Sequence, residues 1–150
     1  MRLLELHPML VHFPIALVFV ILLFDIGAVV RQESWLSKAS LFTLDVAALS
    51  AVVTAVTGVI AAINGGVPLS SLLAAEGAGG LTSAVGDHME AGIVAAVLLI
   101  ALAAWRHWQP RANPRWHTYV SWAGMVMILL LIVVTGQSGG ALVYQWGFGR

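Results

Sequence analysis

Five histidines and no cysteine make imidazole the side chain through which this chain could bind a transition metal or a haem iron. His7 and His12 lie near the start of the first apolar segment, and His88 opens the third. His107 and His117 flank the junction between the third and fourth apolar segments. The lack of cysteine excludes disulfides, thiolate zinc sites, iron–sulfur clusters and covalently attached c-type haem. Metal chemistry would therefore depend on these histidines.

The composition is that of a membrane protein. Of the 150 residues, 60% are hydrophobic and 9% are charged, whereas soluble domains have about a quarter charged residues. Seven basic and seven acidic side chains form no basic patch, which argues against nucleic acid as a partner. The sequence also lacks a phosphate loop, a dinucleotide fingerprint and an HExxH zinc motif. The lipid bilayer is therefore the first predicted partner.

Four apolar stretches are each close to the roughly 20 residues that span a bilayer as a helix. They cover residues 8–30, 41–63, 88–106 and 118–136. Because none alternates between apolar and polar residues, we predict an all-α fold, a single domain over residues 1–150 with an up-down-up-down bundle of four transmembrane helices. A loop over 64–87 and a tail over 137–150 complete it, with Gly136, Gly139 and Gly140 as turn residues. No internal repeat stands out.

The distribution of positive charge predicts the orientation of the chain in the membrane. The basic residues in the two shorter connections are Arg31, Lys38, Arg106, Arg111 and Arg115. The other side carries only Arg2 and Arg150. By the positive-inside rule, both termini and the 64–87 loop are extracytoplasmic.

Helices one and three run parallel in such a bundle, so His7, His12 and His88 end on the same outer face. As diagonal partners, these helices lie roughly 13 Å apart, which allows an imidazole from each to approach one iron from opposite sides. We predict His12 and His88 as axial ligands of one b-type haem, with Gly92 leaving room one turn after His88. His7 could cap the helix, bond a haem propionate or supply a third metal ligand.

His107 and His117 provide an alternative site on the cytoplasmic side, where a second haem or a metal could bind. The competing interpretation places both in an ordinary membrane interface.

Two acidic residues, Asp25 and Asp45, lie inside the hydrocarbon boundary near that same side. Intramembrane carboxylates are typical of a proton or ion path, and the alternative is ion pairing with Arg106, with Arg31 or with each other.

The two ends of the chain resemble a known family. The opening LHPMLVHFPIALVFVILLFDIGA and the ending TGQSGGALVYQWGFG are similar to those of a bacterial four-helix membrane family, domain of unknown function 2231. The resemblance extends to His7, His12 and His88, whereas Trp146 follows Gln145 where relatives often have a histidine. It implies a cytochrome b-like protein of the bacterial inner membrane.

The function predicted from these observations is that of a small integral membrane b-type cytochrome. It would transfer electrons between an outer-face redox partner and a quinone or another subunit, as an electron-transfer subunit rather than a self-contained enzyme. Two alternatives stay open. One is a cofactor-free structural or assembly subunit of a larger membrane complex, and the other is a metal or proton transporter.

Overall fold

The computed structural model describes residues 3–68, 70, 80–108 and 115–147. These residues form four long α-helices. They are α1 (Leu3–Arg31), α2 (Ser34–Asn64), α3 (Leu81–His107) and α4 (Arg115–Tyr144). Each helix is long and apolar enough to cross a membrane, and the described residues contain no strand. The predicted all-α fold with four membrane-spanning helices is confirmed.

The helices extend beyond the predicted apolar stretches. Helix α4 continues to Tyr144, so Gly136, Gly139 and Gly140 are helical and the prediction that they form turns in a tail is wrong. Within a bilayer a segment keeps its helix because leaving it would break backbone hydrogen bonds, and small residues let a neighbouring helix approach. Helix α3 likewise begins inside the predicted 64–87 loop. Residues 69 and 71–79 of that loop, the tail residues 148–150 and three of the counted basic residues (Arg2, Arg111 and Arg150) lie outside the described residues.

The helices alternate in direction, which gives the bundle two ends. We call the end with the start of α1 the His7 end and the opposite one the Arg31 end. Helix α2 packs against α1 and α3, and α4 packs against α3 but makes little contact with α1. The bundle is therefore tightly closed between α2 and α3 and loosely closed between α1 and α4.

Two separate apolar clusters hold the helices together. The larger one occupies the half towards the Arg31 end, with members on all four helices, and the smaller one lies at the His7 end. The larger includes Val18, Ile21, Leu44, Leu99, Met125 and Ile128, and the smaller consists of Ala62, Val67, Val85 and Leu142. The space between them is where the histidines meet.

A buried ion pair connects three helices near the Arg31 end. Arg106 of α3 donates to both carboxylate oxygens of Asp25 on α1, at 2.7 and 3.1 Å. The Ser40 hydroxyl on α2 donates to Asp25 Oδ1 at 2.5 Å and accepts from Arg106 at 3.0 Å. Both charged side chains are at least 85% buried. Asp25 is therefore ion-paired with Arg106, which is one of the alternatives that the sequence left open.

Candidate functional site

Two imidazoles from different helices meet in the interior of the bundle near its His7 end. His7 of α1 and His88 of α3 have ring centroids 6.1 Å apart, and their planes are inclined at 82°. Both side chains are partly buried. The predicted meeting of α1 and α3 histidines therefore occurs, although through His7.

Each ring is held by a backbone carbonyl of the following helix. His7 Nδ1 lies 3.0 Å from the carbonyl oxygen of Thr54, and His88 Nδ1 lies 3.1 Å from that of Thr135. A carbonyl oxygen only accepts hydrogen bonds, so each Nδ1 carries the proton and donates it. Each Nε2 then keeps a free lone pair, which is the arrangement of a metal-binding histidine in proteins.

Glycines form the surface against which both rings lie. A Cβ atom added at Gly58 would come within 2.9 Å of His7 Cε1, and one added at Gly139 within 2.8 Å of His88 Cε1. Real Cβ atoms essentially never show contacts this short. Any larger residue at either position would therefore have to displace the imidazole.

These equivalent contacts reveal an internal repeat with an offset of 81 residues. In each half, the histidine precedes its threonine partner by 47 residues. The Thr57 hydroxyl donates to the Thr54 carbonyl, and the Ser138 hydroxyl donates in the same way to that of Thr135. Even the Asp25–Arg106 ion pair joins positions 81 residues apart. The expectation of no internal repeat is therefore wrong.

The repeat is hard to recognise in the sequence because most equivalent positions share only apolar character. Its clearest trace is the pair of segments VVTAVTG and VVTGQSG, at residues 52–58 and 133–139, each of which follows a histidine at the same distance. This pattern is the sequence signal that could have identified Thr54, Gly58, Thr135 and Gly139 as site residues.

A cavity of about 670 Å³ surrounds the two imidazoles, with walls from all four helices. Its lining includes Ala51 and Leu99 of the larger apolar cluster and Val85 and Leu142 of the smaller one. Its volume falls within the roughly 300–1,000 Å³ typical of small-molecule and cofactor sites. Gly92, which the sequence predicts to leave room for a haem, also lines it.

His12 takes a different position from the one that the sequence suggested. Its side chain is exposed at the edge of the cavity, and its Nδ1 donates to the carbonyl oxygen of Pro8 in the same helix, 2.6 Å away. Five residues correspond to about 140° of rotation around a helix, so His7 and His12 point in different directions. The structure accordingly pairs His88 with His7 and not with His12.

The structure gives His107 and His117 separate partners. His107 Nε2 lies 2.9 Å from a carboxylate oxygen of Asp45, in an exposed pair at the Arg31 end. His117 is 97% buried, stacks on Trp105 with ring centroids 4.8 Å apart, and donates from Nε2 to the Trp105 carbonyl at 3.1 Å. The two rings therefore do not form a second pair like that of His7 and His88.

At the site, the imidazoles of His7 and His88 are the candidate metal ligands, and His12 and Met89 also line the cavity. Across the described parts of the chain, no group of three or more His, Cys, Asp or Glu side chains is arranged to hold a metal ion. Metal ions held by protein alone usually have at least three protein ligands. Two neighbouring imidazoles in an apolar cavity instead suit a metal that brings its other ligands with it.

A family model described as "Predicted membrane protein (DUF2231)" matches residues 4–150 of the chain. No curated protein and no solved structure gave a match. The family description agrees with the four helices capable of crossing a membrane, and the chain is a multi-pass membrane protein.

Proposed function

The chain belongs to the DUF2231 family of membrane proteins, and from its paired histidines we propose that it is a small b-type cytochrome in which His7 and His88 hold one haem. The observation that carries this proposal is the pair of imidazoles with ring centroids 6.1 Å apart, each with its Nδ1 bound to a carbonyl and its Nε2 free. His7 replaces His12 as the proposed partner of His88.

The distance between the two rings fits a shared metal. Each metal–nitrogen bond is about 2 Å and each ring nitrogen lies about 1 Å from its centroid, so two rings that bound one metal would have centroids at most about 6 Å apart. The observed separation of 6.1 Å agrees with this value. Haem brings four porphyrin nitrogens to its iron, so His7 and His88 would supply the ligands that the iron takes from the protein.

The chain's own residues would bind the group, orient it and keep it dry. The carbonyls of Thr54 and Thr135 orient the imidazoles, and Gly58 and Gly139 let them lie close to α2 and α4. The apolar clusters at both ends of the cavity would exclude water. When bound, haem would supply a one-electron redox couple. Because His7 and His88 would both bind the haem iron, electron transfer would be favoured over oxygen chemistry.

The proposed partners are a redox protein at the His7 end and a quinone or another subunit of a larger membrane complex. The positive-inside rule supports a His7 end that is extracytoplasmic together with both termini, and the family resemblance supports the bacterial inner membrane. In this orientation, electrons would enter from the outer face.

An absorption spectrum of the dithionite-reduced protein, expressed with adequate haem supply, tests the proposal. The wild type should show the α-band of a low-spin b-type haem. His7→Ala and His88→Ala should lose it or become five-coordinate, whereas His12→Ala and His107→Ala, the matched controls, should keep it. Wild-type protein without haem would refute the proposal and favour a structural subunit. Unchanged spectra in both site variants would refute the ligand assignment.

The transporter interpretation has less support. Its two acidic residues, Asp25 and Asp45, are each paired with a basic side chain at the Arg31 end, away from the His7 and His88 cavity. Paired carboxylates of this kind serve packing and assembly as readily as ion movement.

A further inference from the structure

The cavity at the His7 end reaches the surface of the bundle between α1 and α4. Besides Ile93 on α3, four of the residues that line it are exposed, namely Pro8 and His12 on α1 and Gly136 and Tyr144 on α4. Helices α1 and α4 make little contact with each other, whereas α2 and α3, their counterparts in the repeat, pack closely. Because these four residues belong to membrane-spanning helices, the opening faces the lipid and its interface.

The walls of this opening have room for a flat group. Gly136 and Gly140 lie one turn apart on α4, and no atom comes within 4 Å of a Cβ added at either. The equivalent residues of the closed side are larger, because Ala55 and Val59 occupy these places on α2. The repeat therefore departs from symmetry where small residues widen one side of the cavity.

The imidazole of His12 lies at the edge of this opening. His12 Nδ1 donates to the Pro8 carbonyl at 2.6 Å, so Nε2 presents a lone pair and can only accept a hydrogen bond while the ring is neutral. Its counterpart in the repeat is the apolar Ile93. A ligand recognised here would therefore enter from the lipid, contain a flat ring and carry a hydroxyl donor.

We infer that the opening between α1 and α4 binds a lipid-soluble hydroquinone, whose ring lies along Gly136 and Gly140 and whose hydroxyl donates to His12 Nε2. An oxidised quinone has only carbonyl acceptors and cannot donate to this nitrogen. A phospholipid lacks the flat ring that the glycine-lined wall accommodates. The inference rests on the proposed function in that the bound ring would neighbour the haem held by His7 and His88.

Equilibrium binding to the dithionite-reduced full-length protein in lipid nanodiscs tests this site. The probes are decylhydroquinone and its dimethyl ether, which has nearly the same shape but no hydroxyl donor. Bound probe is counted as the excess over empty nanodiscs. The wild type should bind the hydroquinone about tenfold more tightly than the ether, as expected for one hydrogen bond.

Three variants separate the contributions to binding. Gly136→Leu should lose both probes because the side chain fills the opening. His12→Leu should bind both probes equally. Val133→Leu, on an exposed surface of α4 away from the cavity, should behave like the wild type.

The inference is overturned if the wild type binds no excess probe, if the ether binds as tightly as the hydroquinone, or if Gly136→Leu and Val133→Leu bind alike. It is also overturned if the wild type binds neither probe and a copurifying phospholipid is absent only from Gly136→Leu, because the opening would then bind a phospholipid. The reduced spectrum of the same samples tests the haem separately. Probe binding without haem rejects the proposed cytochrome alone, and haem without probe binding rejects the hydroquinone site alone.

Discussion

Replacing Gly139 by alanine is expected to weaken haem binding, because the added methyl group meets the ring of His88. The Cβ atom would lie 2.8 Å from His88 Cε1 and 3.3 Å from Nδ1, whereas ordinary contacts begin at 3.4 Å. The ring must therefore retreat by about 0.6 Å. This movement lengthens the hydrogen bond from Nδ1 to the Thr135 carbonyl, now 3.1 Å, to a donor–acceptor distance at which it is weak or lost.

The effects on stability and on ligand affinity should differ in size. Overpacking costs about 1–3 kcal/mol and the weakened hydrogen bond about 1 kcal/mol, while alanine gains about 1 kcal/mol over glycine within a helix. The protein should therefore fold with a modest loss of stability. Disturbing the partner that orients a metal-binding histidine typically lowers metal affinity 10–100-fold, and we expect a loss of this size.

Titration of haem into the haem-free protein, followed by the absorbance of the bound form, measures the affinity. Gly58→Ala should have the same effect through His7, since its Cβ would lie 2.9 Å from that ring. Gly86→Ala is the matched control, because it is also helical but has no atom within 4 Å of the added Cβ. Thermal unfolding of each haem-free variant reports stability. If Gly139→Ala folds and its affinity for haem is within threefold of that of Gly86→Ala, then the close contact between Gly139 and His88 is not needed for haem binding, and this reasoning is refuted.

Asp25→Asn should cost about 3–5 kcal/mol because buried Arg106 loses its partner, and Arg106→Asp should cost at least as much because it also places two carboxylates together. Asp25→Arg combined with Arg106→Asp should recover most of this loss. Thermal unfolding measures the stability of each variant, and the haem spectrum of any variant that folds should stay unchanged. A double variant that is no more stable than the single variants would contradict the pairing. The Ser138 hydroxyl oxygen lies 3.0 Å from His88 Nδ1 and accepts a hydrogen bond from it, so Ser138→Ala should raise the reduction potential of a haem bound by His88, which redox titration detects. An unchanged potential would exclude tuning by this hydroxyl. A reporter active only in the cytoplasm and fused after Arg150 should stay inactive, and its activity would reverse the proposed orientation.

The long apolar segments predicted the four helices, since their length and lack of alternation leave helices as the structure that can cross a bilayer. The same alternation of direction correctly placed His7, His12 and His88 towards one end. The helix boundaries were less predictable. Gly136, Gly139 and Gly140 were predicted as turn residues, but all three are helical, and the lack of a side chain at Gly139 lets His88 lie against α4.

The choice of histidine depended on rotation and packing that the sequence does not specify. Residue spacing fixes the angle between His7 and His12 around α1, about 140°, but not which of them faces α3. That direction follows from how α1 packs on α2, where the Thr54 carbonyl and Gly58 receive the ring of His7.

The sequence by itself determined the membrane, the four helices and the end at which the histidines gather, because these follow from hydrophobicity and length along one chain. The tertiary structure decided that His7 meets His88, that Asp25 pairs with Arg106, and that α1 and α4 leave the cavity open. Each of these contacts joins residues far apart in the chain, so it depends on how the helices rotate and pack against one another. The internal repeat depended on both, because its residues are present in the sequence but were recognised as equivalent only from the matching contacts that they make in the structure.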